Sequence, residues 1–267
     1  MEGSEKYRSF YAKLICAAAK IDDPRIQEAF RSVMREPFAG PGPWSVGLGG
    51  HPYVQTPDDN PTYLYQNLLV ALDRERGINI GEPRWHACWL AACNIKVAET
   101  VVQIGAGSGY YTAILAHLVG PDGRVYAYEI DEALAVRASK NLIEQHQVEV
   151  RMQSGVAPDL PQADLIYVCA GAAQPSRTWL DALRPGGRLL FPLAPTGVFG
   201  GHAADHASRS RLHVACEVRN SRRVHRLRGP SRRRSRASFD GRVFKELGSC
   251  ALASPRRITR RQLLVCG

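Results

Sequence analysis

Three glycines alternate with small residues in the stretch VVQIGAGSGYYTAIL, residues 101–115, between an apolar run and a run of good helix formers. Backbone that bare offers N–H groups to a ligand at close range, and a helix starting there adds the positive end of its dipole. Gly105 suits the tight turn. Gly107 suits close approach of a ligand, and Gly109 suits a helix that starts hard against the strand. Glu129 closes the run VYAYE, 20 residues after Gly109. A carboxylate at that place is suited to holding ribose hydroxyls, and Ile130 follows it in the same segment. The chemistry implied is the binding of a nucleoside-containing cofactor.

These residues need a frame. Alternating apolar strands and helices run from residue 100: strands Thr100–Ile104, Arg124–Glu129, Val148–Met152, Ala163–Val168 and Arg188–Leu193, with helices Tyr110–Leu118, Glu132–Gln145 and Pro175–Leu183 between them. Such alternation predicts a parallel sheet covered on both faces, an α/β doubly wound fold. Upstream, residues 5–20 read as a helix. Asp22-Asp23-Pro24 starts a second one, with a capping Asp and Pro at the first helical position. Residues 50–62 read as a loop, 63–72 as a further helix, and Trp85 to Asn94 as another. The organisation predicted is a helical N-terminal extension with a substrate loop (1–96), an α/β domain (97–200) and a tail (201–267).

The glycine spacing selects among cofactors. A dinucleotide fingerprint wants its third glycine three residues after the second, where this chain has Tyr110. G-x-G-x-G is instead expected of S-adenosyl-L-methionine (SAM) methyltransferases, whose cofactor has no pyrophosphate. At the third strand's exit Ser154-Gly155 reads either as a neighbour of the adenine or as a simple loop.

The stretch IGAGSGYYTAILAHLVGPDGRVYAYEID resembles the cofactor motifs of protein-L-isoaspartate O-methyltransferases. MREPF (34–38) and LRPGGRLLFPL (183–193) resemble two further segments of that family, and the likeness covers about residues 25–195. It implies cofactor contacts from Gly105, Ala106, Gly107, Ser108, Gly109, Tyr110, Glu129 and Ile130. It further implies methyl transfer from SAM to a carboxylate oxygen of an isoaspartyl residue in a damaged protein or peptide. Two departures bear on this. Gln103, a further candidate cofactor contact, stands where the family usually has an acidic residue; it can still accept a hydrogen bond but brings no charge beside the cofactor's ammonium. Gly81-Glu82-Pro83 stands where the family has Ser-Gln-Pro, so a hydroxyl is missing and Glu82 would repel an anionic substrate unless paired or turned away. Gly81, Glu82 and His86 are therefore the candidate catalytic residues. His86 reads as a substrate-orienting group, a base for a hydroxyl acceptor, or a packing residue. The acceptor is a second open point, a small carboxylate or hydroxyl compound being the alternative.

Composition limits the remaining choices. No run of about 18 apolar residues suggests a membrane span. The N-terminus lacks the apolar core of a secretory signal, and the seven cysteines show neither zinc spacing nor a disulfide framework. A cytoplasmic protein is expected, with no metal. The net charge of +10 is uneven: residues 1–200 carry 18 basic and 21 acidic residues, against 17 and 4 in residues 201–267. Three readings of that Arg-rich tail compete. It is a solvated extension, a basic arm for nucleic acid, or the product of a reading-frame shift near codon 200, since His202–His206 read one base later permits an apolar strand. An inactive nucleic-acid-binding protein is the alternative from another functional class.

Overall fold

Five strands form the central sheet: β5 (Thr100–Ile104), β6 (Arg124–Glu129), β7 (Val148–Met152), β8 (Ala163–Val168) and β9 (Leu183–Leu190). The computed structural model describes residues 2–48, 51–172 and 174–192, together with 214–215 and 246–247. All four neighbour pairings in the sheet are parallel, in the order β7-β6-β5-β8-β9. The order reverses between β5 and β8, and in open α/β sheets ligands bind in the crevice outside the strand ends at such a point.

Helices α5 (Tyr110–Val119), α6 (Glu132–Asn141) and α7 (Arg177–Ala182) alternate with these strands. Asp131 caps α6 by accepting from Leu134 N at 3.0 Å. Strands β5 to β8 begin and end at the residues the sequence predicts. The last strand differs from expectation. It begins at Leu183, directly after α7, and its register against β8 jumps from Ala163–Leu183 to Leu165–Arg188. Arg184-Pro-Gly-Gly187 is bulged out between those pairs, with Gly186 at φ +79°. Arg188 pairs with Glu99 and ties the strand back beneath β5.

Helices α1 (Glu2–Ala19), α2 (Pro24–Ser32), α3 (Glu36–Ala39) and α4 (Pro83–Cys93) precede the sheet. Asp23 caps α2 as its position predicts, accepting from Arg25 N at 2.9 Å, with Pro24 in the first turn. Residues 63–72 are not a helix. A short 3-10 turn (Pro61–Leu64) leads into β3 (Leu69–Asp73), which pairs with β1 (Ser45–Gly47) and β4 (Ile78–Asn79) in an antiparallel sheet completed by β2 (Val54–Gln55). The N-terminal region is thus helical with a small sheet added, and residues 50–62 contain a strand as well as loop.

One apolar core runs through both regions. Tyr11, Ile15, Phe30 and Leu64 share it with Val101, Ile114, Leu115, Leu165 and Tyr167. A second cluster, including Val102, Ile166, Trp179 and Leu189, fills the other face of the sheet. No helix among the described residues is long and apolar enough to cross a membrane, and none of their side chains group as a metal site. Apart from those two-residue segments, the Arg-rich tail and its three readings lie outside the described residues.

Candidate functional site

Strand β5 ends at Ile104, and the chain turns into α5 through residues whose geometry excludes most side chains. Gly105, Gly107 and Gly109 have φ of +78°, +59° and +97°, a region that costs other residues roughly 1–2 kcal/mol. A Cβ at Gly107 would meet only Leu72 Cδ1 at 3.5 Å, which leaves that side open. At Gly109 it would lie 2.8 Å from Leu142 Cδ1, so this glycine allows the helix to pack on the end of α6, not on the strand. Helix α5 starts at Gly109 with no side-chain cap. Its first-turn N–H groups therefore lack the usual side-chain acceptor and suit a polar ligand.

Glu129 meets this loop. Its Oε2 accepts from Gly107 N at 2.7 Å and its Oε1 from Asp131 N at 3.0 Å. The carboxylate is buried, and two backbone donors leave lone pairs on both oxygens for a diol. Ser108 lies in the same loop, its hydroxyl buried without a hydrogen-bond partner. Its carbonyl accepts from Asn141 Nδ2 at 2.9 Å, which fixes the loop to α6. Ala106 N and Gly105 N both donate to Tyr128 O. The orphaned hydroxyl, the uncapped helix start and the open side of Gly107 together fit a nucleoside cofactor.

The other sequence-selected residues occupy varied places. Gln103 is buried, accepting from Thr112 Oγ1 at 2.6 Å and donating toward Cys169 Sγ at 3.6 Å, so its carboxamide braces β5 against α5. Tyr110 turns inward: its ring packs edge-on against Phe38 and Tyr111 and lies under Arg35. Only its backbone belongs to the loop. Ile130 is exposed, as are Met152, register partner of Glu129 on β7, and Val156. Gly155 is held close to the sheet, since a Cβ there would fall 2.3 Å from Ile104 Cγ2. Its carbonyl accepts from Trp179 Nε1 at 2.6 Å, and Ser154 Oγ lies 3.4 Å from Val156 N.

Gly81, Glu82 and His86 come together at the start of α4. Glu82 is paired, since Asn67 Nδ2 donates to its Oε1 at 2.6 Å and Arg84 Nε lies 3.8 Å away. Asn67 Oδ1 in turn accepts from Arg84 N, so this carboxamide fastens both residues. His86 is 6% exposed. Its ring stacks on Tyr111 with centroids 3.4 Å apart, and Nδ1 lies 2.8 Å from the Tyr167 hydroxyl. Burial, with help from Arg35, pushes its pKa down to about 3, so the imidazole is neutral at pH 7.

Several positions drew no notice in the sequence. The β3–β4 hairpin lies over the glycine loop through Leu72, and its tip is tethered by Arg76 Nη1 to Asp131 Oδ2 at 2.6 Å. Reading 63–72 as a helix hid that hairpin. Tyr111, Asn141 and Tyr167 each lie on an element that was read correctly, but no spacing rule marks a residue that orients a loop from a distance.

The fold is that of Rossmann-like SAM methyltransferases. A family model described as protein-L-isoaspartate(D-aspartate) O-methyltransferase matches residues 12–200. The chain belongs to that family. Protein-L-isoaspartate O-methyltransferases from Ignicoccus hospitalis and Anaeromyxobacter sp. are 34% and 31% identical to it. The first alignment covers 71% of this chain and 82% of the relative, the second 68% and 67%. A relative from Methanopyrus kandleri is 36% identical over 44% of this chain, which spans only 54% of that relative's length. Among solved structures, a Plasmodium falciparum protein described as belonging to the same family, in complex with S-adenosyl-L-homocysteine, superposes with a TM-score of 0.61. The identity is 16%, with 93% of this chain and 98% of that one covered. A protein-L-isoaspartate O-methyltransferase at 21% identity gives 0.59, covering 78% and 59%. At such identities these structures speak for the fold.

Proposed function

We propose that this chain binds SAM and transfers its methyl group to the free carboxylate of isoaspartyl residues in proteins, the activity for which its relatives are named. The observation that carries this reading is the bond from Gly107 N to Glu129, which joins the glycine loop and the strand-end acid in one site. Glu129 holds the ribose, residues Gly105 to Tyr110 hold the methionine end through their backbone, and Ile130, Ser154 and Gly155 border the adenine. Bound SAM supplies an activated methyl, so that a carboxylate oxygen forms the new O–C bond as the S–C bond breaks and the sulfur leaves as a neutral thioether.

The chain's own task is positioning, since the carboxylate is already a nucleophile and no proton must move. Gln103 adds no charge beside the cofactor. Paired with Asn67 and Arg84, Glu82 is held by local contacts, which weakens the objection that it would repel an anion. Cytoplasmic protein repair is the corresponding setting.

The test is transfer of labelled methyl from SAM to a synthetic isoaspartyl peptide, beside the same peptide with ordinary aspartate. A base-labile methyl ester should form on the first alone. A protein that binds S-adenosylhomocysteine yet esterifies neither peptide would refute the acceptor. A folded protein that binds no S-adenosylhomocysteine would refute the whole reading.

A further inference from the structure

The protein lacks a side chain at position 81, and an imidazole edge fills the space. A Cβ built on Gly81, at φ +80°, would lie 2.6 Å from His86 Nε2 and 3.5 Å from Tyr111 Cε2. Gly81 is itself fixed, its N–H donating to Asn79 Oδ1 at 2.8 Å and its carbonyl accepting from Tyr111 OH at 3.3 Å. Two of the groups around the ring come from elements next to the point where the sheet order reverses. Tyr167 is the penultimate residue of β8, and Tyr111 is in the first turn of α5, directly after the glycine loop.

The tautomer of His86 follows from hydrogen-bond accounting. Tyr167 is fully buried, and its hydroxyl proton needs an acceptor. Among the described residues its hydrogen-bond partner is His86 Nδ1. The hydroxyl therefore donates, Nδ1 accepts, and the ring proton sits on Nε2. That N–H has no hydrogen-bond partner among the described residues. The residue is 6% exposed, and its Nε2 edge faces the side of Gly81 that carries no side chain. A stacked, hydrogen-bonded ring with a free donor beside a bare glycine is organised for an acceptor that comes from outside the chain.

We propose that the Nε2–H of His86 donates a hydrogen bond to the isoaspartyl carboxylate of the substrate and orients it at the cofactor site. The idea rests on the acceptor proposed above. His86 is then a substrate-binding residue, and Tyr167, Tyr111 and Gly81 are the residues that position it. Gly81 keeps its place because any larger residue would displace the imidazole edge.

The test measures binding of an isoaspartyl peptide to the full chain loaded with S-adenosylhomocysteine, by calorimetry, so that no turnover is needed. His86→Phe keeps a ring but no donor and should weaken peptide binding by about tenfold or more, with S-adenosylhomocysteine affinity within about twofold. His86→Gln, whose carboxamide nitrogen reaches the same place as Nε2, should recover most of the loss. Equal peptide affinity in wild type and His86→Phe would overturn the proposal while leaving the methyltransferase reading intact. If the wild-type complex binds no isoaspartyl peptide, the acceptor itself is wrong and this inference falls with it. Should the phenylalanine variant lose S-adenosylhomocysteine binding, the wild type still decides. Its His86 Nε2–H proton resonance should move on adding the isoaspartyl peptide and stay still with the aspartyl one, and no movement in either case refutes the idea.

Discussion

Arg35 and Glu129 are both buried charges, yet their surroundings have opposite designs. Arg35 is completely buried and turned inward. Its guanidinium donates to the carbonyls of Leu64 at 2.6 Å, Gln66 at 3.2 Å and Leu68 at 3.5 Å. It also lies 5.8 Å and 5.4 Å from the ring centres of Tyr11 and Tyr110. No carboxylate pairs with it among the described residues, so carbonyl dipoles and aromatic faces offset its desolvation. Glu129 is held by two backbone N–H groups at the end of β6, beside the glycine loop, with acceptor capacity to spare. Burial of a charge therefore does not by itself mark a binding site. Arg35 Nε is left without a partner but is sealed from solvent, so the informative quantity is whether the capacity a buried charge has left over faces a ligand.

The largest expected effect is on the inward-facing charge. Arg35→Met should lower stability by about 3 kcal/mol or more, because three carbonyls lose a charged donor. Chemical denaturation would show it, and a loss under about 1 kcal/mol would mean that Arg35 is not structural in the sense argued. Glu129→Gln should do the reverse. It should lose about 10- to 100-fold in S-adenosylhomocysteine affinity at a stability cost near 1 kcal/mol. Comparable unfolding midpoints for the two variants would erase the contrast. His86 lies between the two cases, and pH separates its share. Its pKa falls from an ordinary 6.5 to about 3 on folding, so the unfolded chain binds a proton that the folded chain refuses. Its contribution to stability is full above pH 6.5 and is lost as pH falls toward 3, by at most about 1.4 kcal/mol per pH unit. Denaturation of wild type and His86→Gln across that window should show a flatter profile in the variant; parallel profiles would contradict the assignment. The smallest effect is expected at the exposed Arg76–Asp131 pair, where Arg76→Ala should change stability by less than about 1 kcal/mol.

Much of the sheet was legible because its central strands β5 and β8 are buried on both faces and read as nearly continuous apolar runs cut off by turn residues. The glycine loop and Glu129 were legible because their spacing reflects a local strand–turn–helix constraint. Two kinds of feature were not. Residues 63–72 carry apolar residues at spacings that suit a helix, but Leu69–Asp73 is a strand because of β1 and β4, partners of three and two residues. Strands that short leave no periodic signal. The destination of a side chain was also hidden. Tyr110 sits in the middle of the loop motif, yet its ring belongs to the core with Phe38, and nothing in GSGYY says so. His86 was noticed, but its stacking on Tyr111 and its bond to Tyr167 depend on contacts 25 and 81 residues away along the chain.

The shared core has a consequence for how such a chain can change over generations. Tyr11, Phe30, Leu64, Val101, Ile114 and Tyr167 lie in a single apolar cluster. A gene segment encoding only residues 97 onward would produce a sheet with one greasy face bare. The first 96 residues are thus poor material for shuffling between genes. They can drift and be trimmed or lengthened in their loops, but cut-and-paste exchange for an unrelated cap would require the α5 side of the sheet to be rewritten at the same time.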